Sequence, residues 1–584
     1  MEEIKPETLE DVVKNLNLSV RESSGFPLDL YVTVQPESLI KVIKQLKEKY
    51  NVTHLLTIIT QDQTDSYNLL YPFSINLRNQ KSGKLILDLK LDKNDPKISS
   101  IVTEIPGAIL YEREVYDMMG ITFLNHPGLQ RLLTPDSLPN YIYPLRKDIT
   151  FTEIRERLAE SRKEREAEKE LKEYIKREYV DFTSERSDYS ISVGPQHPSL
   201  EEPIRFIFHV KGETVKAIDL RLGFSHRGIE KAFESRTWMQ NLYLAERICG
   251  ICSDAHQLCY VQAVEKCAEL TEVIPERAQY IRVIMAELER IHSHLLWYGI
   301  LAHDTGFDTM FQYTWRDREI VMDILEEISG NRVNYAMHTI GGVRRDIDSE
   351  VTKVKIIPKL KNLRKRVEKH KKMIIQQRSF ISRLKGIAIL TRKDAARFCV
   401  VGPTARASGI NIDVRKNDPY GAYDQLSFNI PLLTEGDILS GLINRLDESL
   451  ISIDLVIDAL KALPPGNLTI KVPRQIPVGE GMSCVEAPRG ENVHYIRSNG
   501  KNNPERHKVR APTLANMPSL VYRLIGVQVA DIPPVIRVID PCIGCMDRVT
   551  FIDSGKGKKL DLSGNHLISR ANRAYRLGTK ILDF

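Results

Sequence analysis

Two Cys-x-x-Cys pairs carry the most explicit chemistry in this sequence. Cys249 and Cys252 stand in Arg247-Ile248-Cys249-Gly250-Ile251-Cys252, and Cys542 and Cys545 in Asp540-Pro541-Cys542-Ile543-Gly544-Cys545. Two intervening residues let both sulfurs of a pair turn toward one centre, so each pair is a local clamp, and four thiolates together suit a soft metal. A zinc ribbon sets its pairs about 15–20 residues apart. Here the body of a large domain lies between them. One pair alone leaves zinc, a disulfide and thiol redox chemistry equally open. Both pairs, with Arg247 before the first and Asp540-Pro541 before the second, are a more specific signal, and a structural zinc on the same four thiolates is the plain alternative.

Histidine supplies a second set of candidates. His256 falls four residues after Cys252, on the same helical face, where it could hydrogen-bond to that sulfur and tune its basicity; a core histidine is the alternative. His292 and His294 are two apart on an expected helix and point about 200° apart, so they cannot clamp one ion. With His303 they read as core or surface histidines. Lys556-Gly557-Lys558 lacks the glycine spacing of a phosphate loop.

With both cysteine pairs in this setting, the chain resembles the large subunit of [NiFe] hydrogenases. The resemblance implies that all four cysteines hold nickel, and that the second of each pair also bridges to an iron carrying carbon monoxide and cyanide. Cys249 and Cys542 would then be terminal ligands, and Cys252 and Cys545 bridging ones. Glu486-Ala487-Pro488-Arg489-Gly490 looks like the family segment that places an arginine over the active site. There a permanently charged guanidinium stabilises anionic ligands. Glu202, followed by Pro203, resembles the acidic residue set beside the metals as a proton relay, with Cys542 as the thiolate that hands protons to it; Glu201 is an equal candidate on sequence. A partly buried carboxylate with a raised pKa can exchange protons near neutral pH. Arg227-Gly228-Ile229-Glu230 resembles the family's Arg-Gly-x-Glu, whose glutamate helps bind magnesium near the mature C-terminus. The histidine usual three residues after the last cysteine is Arg548 here. An ion pair between Arg548 and Glu230 is therefore as good an expectation as magnesium.

A second resemblance runs through the same region. From Gly194-Pro195-Gln196-His197-Pro198 to about residue 480 the chain is similar to the 49-kDa quinone-site subunit of respiratory complex I. Fold-level kinship does not decide function; site residues do. That family lacks both cysteine pairs, and its quinone-contacting histidine is absent from His197-Pro198-Ser199-Leu200-Glu201-Glu202. The cysteines favour a hydrogenase over the alternative, a complex I-like NADH/quinone oxidoreductase C/D subunit. Residues 1–150 look like the complex I 30-kDa subunit, on Tyr111 to Gly120, His126 to Asp136 and Tyr143 to Asp148. Fusion of the two, with the hydrogenase cysteines, resembles the large subunit of formate hydrogenlyase-type complexes.

The elements that must position these groups follow from periodicity. The overall class is α+β. Residues 1–150 combine strand-like runs (Leu85 to Leu91) with an amphipathic helix (Leu39 to Tyr50) in a small α+β domain. Glu112, Arg113 and Asp117 read as interface or internal ion pairs. Residues 151–188 are a charged helical linker. Phe151 to Val180 holds nine acidic and nine basic side chains with no Gly or Pro, and Glu153/Arg157, Glu168/Lys172 and Glu173/Arg177 have favourable i,i+4 spacing. Residues 189–548 form the catalytic, mainly helical domain. One long helix from Thr237 to Thr271, loosened at Gly250, is expected to carry the first pair, with further helices over Met285 to Leu301 and Glu435 to Ala462.

Composition limits the rest. The chain has 584 residues and a formal charge of +6, too slight to imply a nucleic-acid partner. Mean hydropathy is −0.27, and no apolar run nears the roughly 18–20 residues that cross a bilayer. The N-terminus shows no basic-then-apolar signal. Cys259, Cys267, Cys399 and Cys484 read as buried thiols suited to a reducing compartment. No cysteine pattern remains for iron–sulfur clusters, so the resemblance implies a [4Fe–4S] small subunit. It also implies antiporter-like membrane subunits, with formate dehydrogenase and ferredoxin-like subunits in a formate hydrogenlyase setting, and a peripheral place on the cytoplasmic side of the membrane. Residues 549–584 look like the extension that a maturation endopeptidase removes between Arg548 and Val549. They hold seven basic and three acidic residues, so their loss would lower the charge from +6 to +2.

Overall fold

The computed structural model describes residues 6–21, 29–77, 81–134, 138–157, 188–198, 200–348 and 352–547. Most of the linker, with Glu168/Lys172 and Glu173/Arg177, lies outside the described residues, as do Arg548, Val549 and the tail. Residues 151–157 at the linker's start are helical.

The N-terminal part is built on five strands, β1 (Ser19–Val20), β2 (Asp29–Thr33), β3 (Ile59–Asp62), β4 (Ser66–Asn76) and β5 (Ser82–Asp92), in the order β1-β2-β5-β4-β3. β4 and β5 are antiparallel and paired from Ser66↔Asp92 to Asn76↔Ser82. Helix α1 (Leu39–Tyr50) buries Leu39, Val42, Ile43 and Leu46 and stops at Asn51 in a left-handed conformation. Leu85, Leu87 and Leu89 belong to the cluster that includes this helix face. Between them, Ile86 joins Tyr31, Ile59 and Leu70 on the opposite sheet face, against Met482, Cys484, Val493 and Tyr495 of the C-terminal part. Burial of both faces explains why β5 reads as a nearly continuous apolar run.

Ion pairs, most of them buried, also cross between the two parts. Lys84 pairs with Asp418 at 2.6 Å, Lys508 with Glu114 at 2.6 Å and Lys147 with Glu234 at 2.6 Å. The three charged residues singled out near the end of the N-terminal part are internal. Glu112 accepts from Ser100 Oγ and the Ile101 N–H. Arg113 donates to the carbonyls of Gln130 and Arg131. Asp117 accepts from the N–H groups of Leu132, Leu133 and Thr134 and pairs with Arg131. Glu114, between them, makes the cross-contact.

The C-terminal part is a helical body with two three-stranded antiparallel sheets: β6 (Tyr189–Val193), β7 (Arg205–Lys211) and β8 (Thr214–Arg221), then β9 (Gly479–Ala487), β10 (Gly490–Ser498) and β11 (Arg506–Arg510). The expected single helix from Thr237 to Thr271 is two helices, α2 (Trp238–Glu246) and α3 (Ser253–Cys267), and the first cysteine pair occupies the turn between them. The break has a cause. Glu289 accepts the N–H groups of Asp254 (2.6 Å) and Ala255 (3.0 Å), satisfying donors that a fresh helix start leaves open. In that turn, unlike in a helix, Cys249 and Cys252 can aim at one point.

The expected Met285–Leu301 helix lies inside α4 (Glu276–Asp304), packed against α5 (Asp308–Ser329) and α7 (Ile438–Ala462), while α6 (Ile357–Gln376) flanks α7. Helix α7 starts three residues later than expected, because Asp437 caps it by accepting from the Ser440 N–H. α4 is buried along most of its length although it carries many ionisable groups, and these are paired. Arg282 forks onto Glu265 at 2.9 and 2.6 Å, and Arg415 pairs with Glu287 at 3.1 Å. His294 faces Glu448 at 3.0 Å and His292 faces Tyr335 at 3.2 Å, on different sides of the helix. Buried charges persist only when paired in this way. His303 faces Asp308 on the surface. No described helix is long and apolar enough to cross a membrane.

Candidate metal centre

The second cysteine pair sits where Asp540-Pro541 turns the chain into a short helix, α9 (Ile543–Asp547). The Cys542 N–H donates to Thr513 Oγ1 of α8 (Pro512–Leu524) at 3.1 Å, and Cys545 lies one turn further on. This brings the two distant pairs together. Sγ of Cys249 is 3.1 Å from that of Cys542, Cys252 is 3.0 Å from Cys545, and Cys542 is 3.0 Å from Cys545. All four sulfurs lie within 4.8 Å of one another and are buried.

Their protonation is strongly interdependent. Hydrogen bonds from Cys252, Cys542 and Cys545 hold Cys249 well below the usual thiol range, whereas the same cluster pushes Cys542 upward. The Ile251 N–H adds a donor to the Cys249 sulfur at 3.2 Å. Four buried thiolates can coexist only around a compensating cation. Tightly gathered soft sulfur donors fit a soft transition metal.

Arg489 is set over this cluster by a hairpin. Ala487 pairs with Gly490 between β9 and β10, so Pro488 and Arg489 form the two-residue tip. Proline suits the first tip position because its φ is preset. Gly490 follows at φ +128, and a Cβ there would sit 2.8 Å from the Gly402 nitrogen; only glycine meets both demands. Arg489 donates to the Asp540 carbonyl at 2.8 Å and to Ser293 Oγ at 3.1 Å, and pairs with the Asp540 carboxylate at 2.8 Å. Burial opposes its charge, but Asp540 and the sulfurs of Cys542, Cys252 and Cys249 keep its pKa above the usual value.

Glu202 and Glu201 separate clearly. Glu202 Oε2 accepts the Gly544 N–H at 2.9 Å, placing its carboxyl beside the second pair. Burial and then the nearby Cys249 push its pKa up, against the hydrogen bond from Gly544. Glu201 turns to Arg537 at 3.0 Å, which also holds Asp304. Both glutamates and Arg537 line one small cavity with Ile543.

Glu230 does not sit in a metal site. Its carboxylate pairs with Arg506 at 2.8 Å and Lys508 at 3.6 Å and accepts the Val509 N–H at 3.2 Å. Two cations of β11 occupy the place a magnesium would need, so magnesium does not fit. The expected partner Arg548 lies outside the described residues, and the cations that meet Glu230 are Arg506 and Lys508. His256 places Nδ1 toward His494 Nε2 at 3.1 Å and Asn492 Nδ2 at 3.2 Å. That nitrogen faces a buried histidine row continued by His507. Cys259, Cys267, Cys399 and Cys484 are buried away from the cluster. Burial pushes the first three up to about 12.

Sequence reasoning missed Glu289, Ser293, Thr513 and the carboxylate role of Asp540. Asp540 carried a signal, since it stands next to the proline that opens the second pair. The other three come from helices remote in sequence, and only folding brings them here.

Three family models match the chain. "Respiratory-chain NADH dehydrogenase, 49 Kd subunit" spans residues 304–477 and 470–548. The model of the corresponding 30 Kd subunit spans 32–155, and "Nickel-dependent hydrogenase" spans 227–358. Membrane-bound hydrogenase subunit alpha of Pyrococcus furiosus is 42% identical over 63% of this chain and 89% of its own length. Formate hydrogenlyase subunit 5 of Escherichia coli is 33% identical over 91% of this chain and 90% of its own. The C/D subunit of the NADH-quinone oxidoreductase of Phocaeicola vulgatus is also 33% identical, over 88% and 99%. Among solved structures, a chain of the membrane-bound sulfane sulfur reductase, an archaeal respiratory membrane complex, matches with TM-score 0.60 and 32% identity. That match covers 63% of this chain and all of the other.

Proposed function

This chain belongs to the family of membrane-bound [NiFe] hydrogenase large subunits that are kin to the 30- and 49-kDa subunits of complex I, and from that premise we propose what its site does. The chain is the catalytic large subunit of a membrane-associated [NiFe] hydrogenase, interconverting H2 with protons and electrons. The observation that carries this reading is the convergence of four buried thiols from two pairs, 293 residues apart, beneath Arg489. The complex I kinship accounts for the scaffold, but a quinone site has no need of that pocket.

Cys249, Cys252, Cys542 and Cys545 would hold the centre, with Cys252 and Cys545 shared between nickel and an iron bearing carbon monoxide and cyanide. Bound there, the centre supplies the electron-rich site at which H2 forms or splits. Arg489 fixes a positive charge against that site without itself exchanging protons. Cys542 would pass a proton to Glu202, whose pKa is raised by burial and by the nearby Cys249. Beside Glu202 in the same small cavity stand Glu201, which is exposed, and buried Arg537.

Relatives named as membrane-bound hydrogenase and formate hydrogenlyase subunits support an H2-evolving, formate hydrogenlyase-type complex. In that complex a [4Fe–4S] small subunit delivers electrons, antiporter-like subunits provide the membrane anchor, and formate dehydrogenase and ferredoxin-like subunits extend the electron path. The large subunit sits on the cytoplasmic face. We divide it into residues 1–150, the linker 151–188, the catalytic domain 189–548 and a maturation extension 549–584 that an endopeptidase removes after Arg548.

The purified complex should reduce methyl viologen with H2, and evolve H2 from reduced viologen, without NADH or quinone. Turnover of NADH or quinone with no H2 activity would overturn the assignment.

A further inference from the structure

Arg227 opens the Arg227-Gly228-Ile229-Glu230 segment, yet its side chain parts from that of Glu230. Glu230 goes to β11, while Arg227 reaches the cysteine pairs. Its Nη1 donates to the Arg247 carbonyl at 2.9 Å and its Nη2 donates to the Ile248 carbonyl, the two residues just ahead of Cys249. The same Nη2 donates to the Gly544 carbonyl at 3.0 Å, immediately ahead of Cys545 and 317 residues away in sequence. One guanidinium thus binds backbone from both cysteine segments.

Gly544 is held from its other side as well. Its N–H donates to Glu202 at 2.9 Å, and a Cβ at this position would lie 2.9 Å from Glu202 Oε1. Any larger residue here would push the Glu202 carboxylate out of this position.

We propose that Arg227 is a positioning residue that docks the C-terminal cysteine pair onto the N-terminal one, and so assembles the four-sulfur site without touching its metal. A planar fork with several fixed N–H groups can hold three carbonyls at once. A lysine ammonium, a compact point charge on a flexible stem, cannot hold that geometry. The proposal rests on the reading of the four cysteines as one metal site.

The test compares Arg227→Gln and Arg227→Lys with wild type in the intact complex. Thiol alkylation is read at each cysteine by peptide mass spectrometry, and nickel per chain is measured in parallel. Losing three hydrogen bonds should speed labelling of Cys542 and Cys545 at least about tenfold. Cys259 and Cys484, buried elsewhere, should stay protected, nickel should fall, and Lys should fail to rescue. Wild-type protection and nickel content in either variant would overturn the proposal. Opening of all the cysteines together in both variants would also overturn it, because docking predicts selective exposure. If wild type itself carries no nickel, the hydrogenase reading fails, while the selective labelling still reports on Arg227.

Discussion

Cys542→Ala should yield a folded complex with no hydrogen turnover and little nickel. The Cys542 sulfur touches those of both Cys249 and Cys545, so it is the corner joining the two pairs. Its removal leaves three sulfurs and a void in a buried site, and among the described residues the ligand group consists of these four cysteines alone. Loss of a mere outer partner of a metal ligand costs about 10–100-fold in metal affinity or activity; loss of a ligand should exceed that. The fold should survive, since α8, α9 and the segment between them also pack through Leu514, Val535, Ile543 and Met546, which lie in the main core. Nickel by mass spectrometry and H2 production, with circular dichroism as the folding control, decide it. Normal nickel content and turnover in this variant would remove Cys542 from the site.

Glu202→Gln should keep metal and fold but slow H2 evolution by about 10²–10⁴-fold, the usual cost of losing a positioned acid or base. The substitution isolates proton transfer because an amide oxygen can still accept the Gly544 N–H. Position is preserved and only the exchangeable proton is lost. Exchange between H2 and D2O should suffer more than para/ortho hydrogen conversion, which needs no proton exit. Glu201→Gln, at a side chain that turns to Arg537 instead, should have a much smaller effect. The reverse ranking would make Glu201 the relay.

The cysteine motifs and the hairpin segment around Arg489 were legible because the chemistry demands particular side chains at short spacing. Amphipathic α1 and the apolar run of β5 were legible for the same local reason. The break between α2 and α3 was not. It depends on Glu289, which caps α3 from another helix, and continuous helical periodicity through Gly250 conceals it. Glu230 shows the same limit. Its motif left magnesium and an ion pair with Arg548 both open, and neither reading named Arg506 and Lys508, which meet it from a strand about 280 residues away. The choice between Glu201 and Glu202 also needed the fold, since adjacent carboxylates differ only in which one meets Gly544.

X-ray absorption at the nickel edge of the purified complex tests the central claim most directly. The four converging cysteines predict about one nickel per chain in a sulfur-dominated shell that collapses in Cys542→Ala. Zinc in place of nickel, or nickel bound mainly by nitrogen and oxygen, would contradict it.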